Sequence, residues 1–217
     1  MLKLKICGMR DSTNIEEVGI LKPNLMGFIF YPKSKRFVGE NFDPAILQNL
    51  SQDIETVAVF VNESFEKVVE IIEKYHFTHV QLHGSESPEY CERLKNQNIK
   101  ILKAFGIHSS FDWSTLKPYQ EACDYFLFDT STSDYGGSGK KFGWELLDNY
   151  HESKPFFLSG GIGSEDADQI AGLHHPFLTG IDINSRFEIK PGLKNIPLLQ
   201  EFITKLKIAS PMNSSKS

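Results

Sequence analysis

Cysteine is scarce in this chain: 217 residues hold three, Cys7, Cys91 and Cys123. Their number is odd, their spacing wide, and no Cys-x-x-Cys pair occurs. Zinc ribbons and thioredoxin-type motifs are thereby excluded, and a reducing cytoplasm is the expected compartment. A basic excess is also missing. The formal net charge is -5, whereas nucleic-acid binding needs a basic stripe, so no nucleic-acid partner is expected. No apolar run approaches a membrane span. The opening Met1-Leu2-Lys3-Leu4-Lys5 breaks its apolar residues with lysines and leaves no room for a signal-peptide core. No linker divides the chain, and a single domain of this length can bury a full hydrophobic core.

What is present is a recurring short apolar run. Eight occur, at 4–7, 25–30, 56–61, 79–83, 99–105, 125–129, 155–159 and 180–184. Near-continuous hydrophobicity at strand length fits strands covered on both faces, as in parallel sheets. Helical segments alternate with them. The spacing predicts a helix over 13–21, one begun by Asp43 and Pro44, and one over 65–75 capped by Ser64. Others are predicted from Ser87-Pro88 to about Asn96, around Trp113, Leu116 and Tyr119, over 144–150, over 165–173 after Ser164, and over 193–208. Strict alternation implies right-handed crossovers, and eight units close into a single (β/α)8 TIM barrel over residues 1–208. An open doubly wound sheet should carry Gly-x-Gly-x-x-Gly after its first strand, but Cys7-Gly8-Met9-Arg10 stands there. The small polar residues 209–217 are expected to form a disordered tail.

In such a barrel the chemistry sits at the C-terminal ends of the strands. The polar residues collected there are Cys7; Lys33, Lys35 and Arg36 after strand 2; Gln81 and His83; Asp129; and Asp182, Asn184 and Ser185. Side chains alternate, so Lys5 and Cys7 share a face, as do Gln81 and His83, and Asp182 and Asn184. Each has a plainer reading. A cysteine is commonly a small buried hydrophobe, which is how Cys91 and Cys123 are read; Cys7 differs by its place on the rim beside a glycine. Asp129 is either a turn cap or a carboxylate at the mouth. His83 is read as a core histidine. The basic loop is either solvated or, at Arg36, suited to gripping a carboxylate with two bonds. Gly160-Gly161 opens a helix on the loop where barrels bind phosphate, or makes a plain turn. The glycine-rich loop around Gly136, Gly137, Ser138 and Gly139 either closes over a ligand or only connects.

Taken in order, several segments resemble the phosphoribosylanthranilate isomerase family. They are Lys5-Ile6-Cys7-Gly8-Met9, Gly27-Phe28-Ile29-Phe30 with Ser34-Lys35-Arg36-Phe37-Val38, Val80-Gln81-Leu82-His83-Gly84, and Phe128-Asp129-Thr130. Gly136-Gly137-Ser138-Gly139 with Phe142, Leu158-Ser159-Gly160-Gly161-Ile162, and Gly180-Ile181-Asp182-Ile183-Asn184-Ser185 complete the set. Two positions depart from the family pattern. Gly143 replaces an aspartate, and Arg186-Phe187 replaces a glycine and an apolar residue before Glu188.

The resemblance implies an Amadori rearrangement of N-(5-phosphoribosyl)anthranilate to 1-(2-carboxyphenylamino)-1-deoxyribulose 5-phosphate in tryptophan biosynthesis. It implies Asp129 as general acid and Cys7 as general base, Arg36 on the anthranilate carboxylate, and Asp182 orienting the substrate or the loop after strand 8. Gly160, Gly161, Asn184 and Ser185 would hold the phosphate. The chemistry calls for no metal and no organic cofactor; a small phosphorylated substrate is the expected partner, and the protein a monomer or homodimer. An unperturbed thiol is mostly protonated at neutral pH, so the site must lower the pKa of Cys7 or draw on a small thiolate population, with Lys5 a candidate perturber. Asp129 must carry a proton to act as the acid. The histidine-pathway isomerase pairs two aspartates and shows a half-barrel duplication, neither of which is visible. A catalytically dead barrel would be expected to have lost Cys7 or Asp129.

Overall fold

The computed structural model describes residues 2–130 and 144–209, apart from the side chains of 207–209. The glycine-rich loop with Gly136, Gly137, Ser138 and Gly139, position 143 and the tail from 210 onward lie outside the described residues. Eight parallel strands close into a barrel in sequence order. They are β1 Lys3–Met9, β2 Leu25–Ile29, β3 Glu55–Phe60, β4 His79–Leu82, β5 Lys100–Gly106, β6 Tyr125–Asp129, β7 Phe156–Ser159 and β8 Leu178–Ile183. Closure is made by β1 pairing with β8, Lys5 lying opposite Asp182.

The register separates the two faces of the sheet. Leu25, Val57, Leu102, Ala104, Leu127 and Phe157 form a small apolar cluster of their own inside the barrel. The opposite face, with Ile6, Phe28, Phe60, Leu82, Phe126 and Phe128, packs against the helices in the main core. Below the inner cluster, buried His79 lies 3.7 Å from Glu55, which also reaches Lys3 and Lys100. Above it are Lys5, Cys7, Gln81 and Asp182, all buried. The barrel interior is thus apolar only in its middle layer. The run 79–83 shows this within one strand segment, with His79 at one end and His83 at the other.

The helices follow their caps. Asp11 accepts the Asn14 N–H and starts α1 (Ser12–Ile20). Asp43 accepts from Ala45 at the start of α2 (Ala45–Gln48), only a turn long. Ser64 caps α3 (Phe65–Tyr75), which buries Val68, Ile71, Ile72 and Tyr75 on one stripe. Ser87 caps α4 (Pro88–Lys95), with proline in its first turn. The segments Trp113–Tyr119 and Trp144–Asn149 are 3-10 helices. In place of one helix over 165–173, a 3-10 turn Ser164–Asp166 leads into α5 (Ala167–Ala171), and Asp166 rather than Ser164 takes the Gly163 N–H.

The last element differs more from expectation. Residues Leu193–Lys194 (β10) pair antiparallel with Glu188–Lys190 (β9), and α6 covers only Ile196–Ala209. Gly192, with φ of 83°, makes the turn, and the buried Lys194 backbone is tied to Asn14. No helix among the described residues is long and apolar enough to cross a membrane.

Candidate active site

A cavity of about 510 Å³ opens at the C-terminal ends of the strands. Its walls include Cys7, Arg36, Asp129, Gly160, Gly161, Asp182, Asn184 and Ser185. Every described residue singled out for catalysis, carboxylate binding or phosphate binding therefore meets in one space. Lys33 and Lys35 are exposed and lie outside it, as the solvated-loop reading has them. Cys91 and Cys123 are fully buried in the outer core.

Cys7 reaches the cavity because β1 bulges. Ile6 pairs with Met26 but Met9 with Phe28, so three steps on β1 match two on β2. Gly8 supplies the needed left-handed backbone, with φ of 75°. Facing the thiol is Gly27: a Cβ there would lie 2.7 Å from Cys7 Sγ and 3.0 Å from Lys5 Nζ. The absent side chain is what makes room for both groups.

Lys5 is fully buried, and its Nζ donates to Asp182 Oδ1 at 2.9 Å. Burial works against the ammonium, but Asp182 and Cys7 outweigh it and hold Lys5 above the ordinary lysine value. For Cys7 the balance goes the other way. Burial pushes the thiol up, Lys5 pulls it down, and the net shift is upward. The resting site therefore does not lower the pKa of Cys7: Lys5 is committed to Asp182, and desolvation dominates.

Asp129, at the end of β6, stands 3.7 Å from His83 Nε2 through Oδ2. His83 is not a core histidine; its side chain is 39% exposed at the cavity mouth. Gln81 Nε2 lies 2.9 Å from His83 Nδ1. An amide nitrogen only donates, so with this amide assignment Nδ1 accepts and the neutral ring carries its proton on Nε2, toward Asp129. Desolvation lowers the His83 pKa and so works toward the neutral ring, while the Asp129 carboxylate opposes that shift.

Arg36 comes with partners the sequence did not announce. Its Nε and Nη2 both donate to Glu188, at 2.9 and 2.7 Å. Glu188 Oε1 also accepts from Lys194 Nζ at 2.9 Å and from the Gly192 N–H at 3.1 Å. Lys194 in turn donates to Asn184 Oδ1 at 2.7 Å. Burial works against the Glu188 carboxylate, yet Arg36 and Lys194 hold it below the ordinary glutamate value. Lys194, buried, is pulled below the ordinary lysine value despite Glu188. The hairpin β9–β10 thereby braces Arg36 and Asn184 together. Gly160 and Gly161 have φ of 103° and 65°, and no group lies within 4 Å of where a Gly161 side chain would begin. Beside them Arg186 lines the cavity and pairs with Glu165.

No group of three or more His, Cys, Asp or Glu side chains suited to a metal ion occurs among the described residues. The arrangement offers a thiol and a carboxyl group in one cavity, a guanidinium at the side of β2, and a glycine turn at β7.

The family model described as N-(5'phosphoribosyl)anthranilate (PRA) isomerase matches residues 4–205. A protein of Parabacteroides distasonis named N-(5'-phosphoribosyl)anthranilate isomerase is 44% identical over 208 residues, covering 94% of this chain and 92% of that protein. The crystal structure of phosphoribosyl anthranilate isomerase from Thermotoga maritima superposes with a TM-score of 0.81 at 33% identity, covering 95% of this chain and 99% of that one. Another solved phosphoribosyl anthranilate isomerase, in complex with reduced 1-(o-carboxyphenylamino)-1-deoxyribulose 5-phosphate, matches at 29% identity. Its TM-score is 0.79, with 95% of this chain and 99% of that one covered. The chain belongs to the N-(5'-phosphoribosyl)anthranilate isomerase family.

Proposed function

We propose that this protein converts N-(5'-phosphoribosyl)anthranilate to 1-(2-carboxyphenylamino)-1-deoxyribulose 5-phosphate, a step of tryptophan biosynthesis in the cytoplasm. The observation carrying this reading is the convergence of Cys7, Asp129, Arg36 and the Gly160-Gly161 turn on one cavity. Asp129 gives its proton to the ribose ring oxygen, and the C1–O bond opens to an iminium. Cys7 removes the proton from C2 of the sugar, leaving an enolamine that tautomerises to the ketone. His83, with Nε2–H toward Asp129, helps hold that carboxyl in place.

Because Glu188 occupies the Nε/Nη2 edge of Arg36, the opposite edge is the one we assign to the anthranilate carboxylate. That edge carries Nη1 and the remaining Nη2 hydrogen, a two-point match for a carboxylate. Gly160, Gly161, Asn184 and Ser185 take the phosphate, and Asp182, held by Lys5, orients the sugar. No cofactor enters this scheme.

The test is loss of anthranilate–ribose fluorescence on incubation with enzyme. Asp129→Asn and Cys7→Ala should each lower kcat by at least about 100-fold, the lower range for a positioned acid or base. Both variants should still bind the reduced product analogue. Turnover surviving in either variant would remove that residue from the scheme; absence of turnover in the wild-type protein would remove the scheme.

A further inference from the structure

Two guanidiniums line the cavity among the described residues, Arg36 and Arg186, and each faces a carboxylate of the protein. The two pairs differ in kind. Glu188 is 4% exposed and is held from three sides, by Arg36, Lys194 and the Gly192 N–H. It is a fixed brace. Glu165 and Arg186 are 51% and 46% exposed, and Nη2 of the arginine meets Oε1 of the glutamate at 2.5 Å. An ion pair this open to water contributes little and can be exchanged.

The position of the second pair matters. Arg186 follows Ser185 at the end of β8, and Glu165 follows the glycine turn after β7. The pair bridges the two loops on either side of the space bounded by Gly160, Gly161 and Ser185. The Glu165 carboxylate leans back over Gly163, where any side chain would collide with both of its oxygens. A dianion entering that space meets a half-exposed cation at its edge, together with an acidic group that repels it.

We infer that Arg186 is a binding residue for the phosphate of the substrate and that Glu165 is its exchangeable partner in the empty site. This inference rests on the reading of the cavity as a site for a phosphorylated aminosugar. It adds a ligand that the glycine turn and Ser185 do not supply, a charged one. Arg36 and Arg186 then each answer one anionic end of the substrate, the first rigidly and the second by exchange. No covalent step is involved.

The test uses the full chain and three ligands: ribose 5-phosphate, inorganic phosphate and anthranilate, titrated calorimetrically. Arg186→Gln should weaken both phosphorus ligands about tenfold, the scale of one charge-assisted hydrogen bond in a half-exposed setting. Anthranilate, which has no phosphate, should bind as in the wild type. Glu165→Gln frees the arginine and should tighten both phosphorus ligands about two- to threefold. In the isomerase assay Arg186→Gln should raise KM with kcat nearly unchanged. Three results overturn the inference: unchanged phosphate affinity in Arg186→Gln, weakening of anthranilate by the same factor, or no phosphate binding by the wild type. If the wild type binds phosphate, Arg186→Gln weakens it, and no isomerisation occurs, the role of Arg186 stands and the reaction assignment falls.

Discussion

Replacing Lys5 with methionine is the sharpest test of the site's electrostatics. The ammonium is fully buried and lies 2.9 Å from an Asp182 oxygen in a carboxylate only 6% exposed. At an effective dielectric of about 20, two unit charges at that distance attract by about 6 kcal/mol. Desolvation of both groups offsets part of this. Removing one partner of such a pair costs about 3–5 kcal/mol, because the other charge is left buried alone. Lys5→Met should therefore lower the unfolding free energy by that amount in urea, with the m-value unchanged. Lys5→Met/Asp182→Leu should recover most of the loss, since neither charge remains. The same variant reads out the thiol. Lys5 is the chief group pulling the Cys7 pKa down against burial, so its loss should raise that pKa further. The pH dependence of Cys7 alkylation, followed on its own peptide by mass spectrometry, measures this directly. A stability loss under about 1 kcal/mol, or a Cys7 pKa that falls in Lys5→Met, would refute the account of a buried pair restraining a desolvated thiol.

His79, buried, has its pKa lowered to about 4, chiefly by desolvation. The unfolded chain takes up that proton near pH 6.5 and the folded one only near 4. Stability should thus fall on acidification through that window, by about 3 kcal/mol at about 1.36 kcal/mol per pH unit; urea titrations of His79→Gln should lack this component, and identical slopes would contradict it. Gly27→Ala puts a Cβ 2.7 Å from Cys7 Sγ and should cost about 1–3 kcal/mol of stability together with more than tenfold in turnover; a fully active, stable variant would show that the thiol and ammonium do not need that space. Glu188→Gln removes the charge that locks Arg36 and should raise KM about tenfold with kcat little changed, on the scale of one charged hydrogen bond. An unchanged KM would separate Glu188 from substrate binding.

Much of the barrel can be read from the chain because strands covered on both faces leave near-continuous apolar runs, and all eight runs became strands. Cys7, Asp129, Asp182 and Asn184 were legible for a related reason: a polar residue at the end of an apolar strand has one place to go. What escaped has no local trace. Glu188 and Arg36 are 152 positions apart, and nothing around either announces the other. Lys194 follows Leu193 at the head of a good helical pattern, yet Gly192 turns the chain and makes both residues a strand. His83 sits one residue past β4, where a shift of one position decides between core and mouth. The sign of the Cys7 shift also escaped. Lys5 is visible two residues away, but Asp182, which engages it, is 177 positions distant.

That elevated thiol bears on the order of the proposed chemistry. A thiol whose pKa is raised at rest is a poor base toward a neutral aminosugar, since Lys5, already committed to Asp182, and Lys194 together do not offset the burial of a thiolate. Ring opening changes the charge balance. When Asp129 delivers its proton to the ring oxygen, the iminium nitrogen becomes a cation attached to the carbon next to C2. A positive charge close by in a desolvated site favours the thiolate, against the burial that opposes it. The same cation acidifies the C2 proton that Cys7 has to take. One event on the acid side therefore favours both partners on the base side: the Asp129 carboxylate it leaves takes up the thiol proton, the thiolate takes the C2 proton, and both groups end as they began. Until then a mostly protonated thiol reacts only slowly with alkylating or oxidising agents. On this argument burial of Cys7 is not an obstacle that Lys5 fails to overcome. It is the condition that ties proton abstraction to the opened form of the substrate.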